Sequence, residues 1–97
     1  QAAVVNNGYV ISNAGATTVT LPATAVFGSE IKVQGLGAGG WIVQANTGQT
    51  INVGSVATSV AGSVTSANRY DTIQLVCIIA NTTWSAQGNL SSGLTVV

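Results

Sequence analysis

The sequence predicts an all-β protein, a small antiparallel β-sandwich or barrel-like domain of about 8–9 short strands. Three observations carry that expectation. Val, Ile and Thr are abundant, and β-branched side chains prefer a pleated, half-buried surface. Gly and Asn punctuate the chain at intervals of roughly 8–12 residues, the spacing of short strands in a sandwich or barrel. Charge is almost absent: Glu30, Lys32, Arg69 and Asp71 are the only charged residues among 97. A disordered chain would show the reverse balance, with few β-branched residues and much charge.

Taken in order, residues 2–5 are apolar and Asn6-Asn7-Gly8 follows as a tight turn, Asn-Gly being the strongest short hairpin signal. Residues 9–12 form a short strand closed by Asn13-Ala14-Gly15. Residues 17–21 alternate, with Val19 and Leu21 on one face and Thr18 and Thr20 on the other. Pro22, the only proline, ends that strand because it cannot donate to a ladder. Residues 30–34 alternate again, Ile31 and Val33 inward, Glu30, Lys32 and Gln34 outward. The glycine-rich stretch 35–40 leads to a strand over 41–45, where Trp41 and Val43 share a face. Asn46-Thr47-Gly48 turns into residues 49–53, with Ile51 and Val53 pointing together. Residues 57–66 are small and polar. Val60 and Val64 have helical spacing, but Gly62 and the Ser/Thr content favour a long loop or a weak strand.

Residues 72–80 are the most informative stretch. Ile73, Leu75, Cys77 and Ile79 lie on one face, and Val76, Ile78 and Ala80 on the other. A strand apolar on both faces needs cover on both. A second sheet of the same chain can cover one side, leaving the other to a loop or another subunit. Ile73, Leu75, Val76, Cys77, Ile78 and Ile79 are therefore the candidates for core and subunit contacts, together with Trp84 in the strand 82–86. Gly88-Asn89 then turns, and residues 94–97 close the chain as a strand. Glycines recur, but no fixed period carries matched side chains, so no internal repeat is expected.

Low charge supports self-association independently. Ordinary soluble domains carry about 25% charged residues, against 4% here. Sheet edges and faces then lack their usual protection, and a closed symmetric oligomer buries them.

Composition also excludes much chemistry. A net charge of zero offers no field for nucleic acid or for a membrane surface. The longest apolar run, residues 75–80, is strand-sized, far short of the roughly 20 residues that span a bilayer. With no histidine and one cysteine, the chain can form no internal disulfide, no His/Cys zinc site and no serine triad. No enzyme, metal or cofactor is expected. The length suits one domain, with residues 1–18 as either a linker or an added strand. The missing methionine suggests a processed product or a piece of something longer, and no secretory signal is visible.

The remaining motifs mostly favour plain structure. Residues 35–40 satisfy G-x-G-x-x-G formally, yet they open a strand rather than a helix, and no carboxylate lies between Glu30 and Asp71. A tight turn where backbone approaches backbone explains them better. Glu30 and Asp71 each have a cation two residues away, Lys32 and Arg69, which reads as ion pairing along a strand face. Alternatively, Arg69-Tyr70-Asp71 is a polar sugar contact with an aromatic platform, to which Trp41 could add a stacking surface. For Trp41 and Trp84 alike, core or interface packing is the stronger reading. Cys77 reads as an inert buried thiol. Two N-x-S/T sequons, at Asn81 and Asn89, are expected in an Asn/Thr-rich chain by chance.

Larger groupings carry a resemblance. Leu21-Pro22-Ala23 is followed by Gly28 and Ile31-Lys32-Val33, then by the run from Gly35 to Trp41, by Ile42-Val43-Gln44-Ala45-Asn46 and by Gly48-Gln49-Thr50-Ile51. Tyr70-Asp71-Thr72-Ile73-Gln74-Leu75-Val76-Cys77, Ala80-Asn81-Thr82-Thr83-Trp84 and Leu94-Thr95-Val96-Val97 complete the order. From Val19 to Val97 this pattern resembles a C-terminal module of tail fibres and tailspikes of tailed bacteriophages, also present in prophage-like bacterial proteins. The resemblance implies a β-rich homotrimeric domain at the end of a virion adsorption fibre, made in the host cytoplasm. Such a domain locks the trimer, assists its folding or touches bacterial surface polysaccharide. It implies no catalytic residues. A small lectin-like domain devoted to glycan recognition is the alternative.

Overall fold

The structure, a computed structural model, describes residues 2–53, 56–67, 69–89 and 94–97. The described residues are all-β with no helix, in ten strands. They are β1 (Asn7–Ile11), β2 (Thr17–Thr20), β3 (Glu30–Gly35), β4 (Trp41–Gln44), β5 (Thr50–Val53), β6 (Val56–Ala57), β7 (Ser63–Thr65), β8 (Thr72–Ile79), β9 (Thr83–Asn89) and β10 (Thr95–Val96). Six form one sheet in the order β1-β3-β8-β9-β5-β6, and four form a second in the order β10-β7-β4-β2. Among the described residues neither sheet closes into a barrel.

Both sheets are mixed, where an antiparallel arrangement of fewer strands was expected. β1 with β3, β2 with β4, and β5 with β9 all run parallel. The cause is visible at Asn6-Asn7-Gly8, which makes no hairpin. Ala2 bridges Thr20 at the edge of the four-stranded sheet, whereas Asn7 begins a strand of the other sheet. Asn6, at φ 63°, turns the chain between them, its backbone N–H donating to Glu30 O at 2.6 Å. The connection from β1 to β2 crosses between sheets, and so does that from β3 to β4. β1 and β2 are therefore not neighbours, nor are β3 and β4, and β3 returns alongside β1 in the same direction.

The two crossings stack. Asn7 faces Ile31 and Thr17 faces Trp41, so residues 7–11 lie on 31–35 and residues 17–20 on 41–44 with the same offset of 24. The connecting loops pair as well, through Gly37 N–H to Ile11 O and Gly39 N–H to Asn13 O. This is a structural repeat of two parallel coils, although side chains match only at points such as Ala14-Gly15 and Ala38-Gly39. A Cβ on Gly37 would collide with the backbone of Ser12 and Asn13, and one on Gly39 with the backbone of Gly15. The glycine-rich run is thus a place where backbone packs on backbone.

In the C-terminal half β8 is central and runs antiparallel to both β3 and β9. Residues 57–66, expected as loop or weak strand, contain the end of β6 and all of β7, with Ala61 at φ 58° between them. Gly88 and Asn89 lie within β9 opposite Gln74 and Ile73 rather than in a turn.

The core lies between the sheets. Ile31, Val33, Ile51, Ile73, Leu75, Cys77 and Trp84 face Val19, Leu21, Trp41, Val43 and Val64, all buried. Ile79 departs from the expected face. The register slips between Cys77 and Ile79, a bulge that re-aims the side chain, and Ile79 is 57% exposed.

Candidate functional site

With Ile31, Val33, Ile73 and Leu75 turned inward, the alternation of β3 and β8 turns the residues between them to the outer face of the larger sheet. Across that face Glu30 sits opposite Val76, Lys32 opposite Gln74 and Gln34 opposite Thr72. Gln74 Nε2 donates to Glu30 Oε1 at 2.7 Å, and Thr72 Oγ1 donates to Gln34 Oε1 at 2.8 Å. Such cross-strand pairs hold a face flat and its polar groups in fixed positions. At one end, Asn6, Asn7 and Gly8 join Glu30 and Lys32 around an open depression of about 180 Å³. The carboxylate of Glu30 is engaged by Gln74, and among the described residues no ion pair joins it to Lys32.

At the other end stands the Arg69–Tyr70 corner. Gln34 Nε2 donates to Tyr70 O at 3.2 Å, tying the ladder to the turn. Arg69 Nε donates to Leu36 O at 2.9 Å, and its guanidinium carbon lies 5.3 Å from the Tyr70 ring centroid, within range of a cation–π contact. Tyr70 is 59% exposed.

The four sugar-contact candidates therefore divide. Arg69 and Tyr70 come together at the surface. Asp71 turns inward, 4% exposed, where its Oδ2 accepts from Ala67 N at 2.6 Å. Trp41 is 1% exposed, and its indole N–H donates to the backbone carbonyl of Asp71 at 2.9 Å. Trp41 presents no ring face to a ligand in this chain. It joins the four-stranded sheet to the segment that carries the corner.

The apolar candidates divide too. Ile73, Leu75, Cys77 and Trp84 are core residues, Val76 is half-buried on the outer face, and Ile78 and Ile79 are exposed at the end of β8. The second apolar face expected of β8 shrinks to Val76 and Ile78, flanked by Glu30, Thr83 and Ser85. Gln34, Thr72 and Gln74 were not singled out from the sequence. Their outward parity was readable, but the register that pairs them was not.

Among the described residues no group of three or more His, Cys, Asp or Glu side chains could hold a metal ion. No protein-family model matches the chain, and no curated protein matches it.

Proposed function

We propose that this chain is a structural and adsorption module at the C-terminus of a bacteriophage tail fibre or tailspike, a homotrimer that stabilises the fibre and contacts host-surface glycan. The observation that carries the reading is an apolar end on a nearly uncharged protein. Gly28 N–H donates to Cys77 O and Cys77 N–H donates to Ser29 O, both at 2.8 Å, bringing Phe27 beside the end of β8. Phe27 is 75% exposed there, Ile79 57% and Ile78 36%. Exposed apolar groups gathered this way mark association surfaces. A threefold ring buries such a patch against a different surface of its neighbour and closes without leaving it free.

Native mass spectrometry tests this reading. The expected species is three times 9.6 kDa, and Phe27→Ser combined with Ile79→Ser shifts it to monomer while leaving the β-sheet circular dichroism unchanged. A wild-type monomer at all concentrations overturns the trimer.

The second reading, glycan recognition as the main role, is favoured by the Arg69–Tyr70 corner beside the Gln34–Thr72 pair. An exposed ring flanked by fixed amide and hydroxyl groups suits a sugar, and three copies would add avidity. A glycan array that stays blank at high protein concentration removes it.

A further inference from the structure

The side of the fold that carries the first coil ends in a bare strand edge. β1 is the last strand of the larger sheet, beyond β3. Leu36 N–H donates to Ile11 O at 2.8 Å, and Ile11 lies opposite Gly35. In a parallel ladder, residues bonded in this way alternate with residues whose N–H and C=O point the other way. Asn7, Tyr9 and Ile11 therefore turn their backbone groups to β3, and Gly8 and Val10 turn theirs outward. Nothing among the described residues pairs with those outward groups.

The other sheet edges are short or covered. β6 and β10 have two residues each. β2 is met at its end by Ala2, which bridges Thr20 in parallel, and Ala3 N–H donates to Thr20 O at 2.8 Å. Thr17 N–H and Leu21 N–H both donate to β4 or its approach, so Ala2 and Ala3 lie on the far side of β2. β1, by contrast, is five residues long, with no charge, no proline and an unbroken register. Natural edges are normally blunted by one of these devices. Val10 stands 63% exposed on this one.

The path of the chain points to what fits there. Residues 41–44, residues 17–20 and Ala2 follow one another across the smaller sheet, all running parallel. Residues 31–35 and 7–11 are the matching first two steps across the larger sheet. Ala2 thus opens a third step on one sheet, and its counterpart on the other sheet falls beside β1.

We propose that the β1 edge is the joint between this module and the preceding part of the fibre, which adds one more coil. The polypeptide leading into Ala2 runs parallel along β2, and a strand before it pairs with Gly8 and Val10 of β1. A second copy of the chain fits less well. Antiparallel pairing of β1 with another β1 sets Gly8 against Val10 around a twofold axis, which builds no threefold ring. The inference rests on the reading of the chain as the C-terminal module of a longer fibre, and it names the surface that joins the module to the rest.

The test extends the full chain with its own coil. A copy of residues 7–19 replaces Gln1, so that it leads into Ala2 as Val19 leads into Thr20. A control copy carries proline at the counterparts of Tyr9 and Ile11, the residues whose N–H groups would bond to β1. Amide hydrogen exchange is read by NMR on the original chain and on both extended chains. Gly8 and Val10 are expected to exchange freely in the original chain and the control, and at least about tenfold more slowly with the intact copy. The intact copy also melts above the control. Unchanged exchange with the intact copy, or equal slowing in the control, overturns the proposal. Slow exchange of Gly8 and Val10 in the original chain overturns it too, since another copy then holds the edge. A trimer whose β1 edge stays open in the extended chain leaves the trimeric module standing without this joint. A monomer whose edge becomes protected removes the trimer and leaves the joint.

Discussion

The two faces of the six-stranded sheet are made from the same strands and follow opposite rules. On the inner face, Ile31, Val33, Ile51, Ile73, Leu75, Cys77 and Trp84 are buried to the last atom or nearly so. On the outer face, Glu30, Gln34, Thr72 and Gln74 meet in hydrogen-bonded pairs. The inner face specifies the fold because any change in volume is felt by close-packed neighbours. The outer face can vary without unfolding the protein, which is where recognition can be placed. β8 shows both rules within one strand until the bulge after Cys77, beyond which Ile78 and Ile79 escape both.

Substitutions can break this contrast in order of size. Trp84→Ala empties the largest inner-face side chain of β9 and should cost about 3–5 kcal/mol in denaturant unfolding, enough to unfold a domain of marginal stability. If it costs under about 1 kcal/mol, the inner face is not the keystone. Gly39→Ala tests the stacked coils rather than the side-chain core. Its Cβ would lie against the Gly15 backbone and 2.7 Å from Ala14 O, so thermal melting should report a loss of about 1–3 kcal/mol. A neutral result would mean the two loops separate freely. Gln74→Ala removes the outer-face bond to Glu30 and should change stability by no more than about 0.5 kcal/mol. A loss as large as that of Gly39→Ala would erase the distinction between the faces.

Much of the inner face was legible from the sequence. Period-2 alternation in residues 30–34, 41–43 and 73–77 correctly sorted Ile31, Val33, Trp41, Val43, Ile73, Leu75 and Cys77 inward, because parity alone decides the face of a strand. Parity does not decide the neighbour. The parallel pairing of β1 with β3 follows from two crossings of equal length, a property of loop geometry rather than of any one residue. The hairpin expected at Asn6-Asn7-Gly8 failed for the same reason. The turn is real, but it leads to the other sheet. Ile79 was misplaced because a bulge shifts parity without leaving a mark in the alternation. At the candidate site, the Arg69–Tyr70 corner could be anticipated from the triplet itself. The inward turn of Asp71 could not, since residues 69–70 form a turn rather than the extended strand assumed for the triplet, and the Asp71 carboxylate folds back onto Ala67 N–H.

Central to the account is an inner face that holds each chain together and an apolar end at Phe27, Ile78 and Ile79 that holds chains to one another. Size-exclusion chromatography with light scattering, run on wild type and on Phe27→Ser/Ile79→Ser at matched concentrations, tests it most directly. The account predicts a wild-type mass of three times 9.6 kDa and a folded, monomeric variant. A wild-type mass of 9.6 kDa, or a variant that stays trimeric, would contradict it.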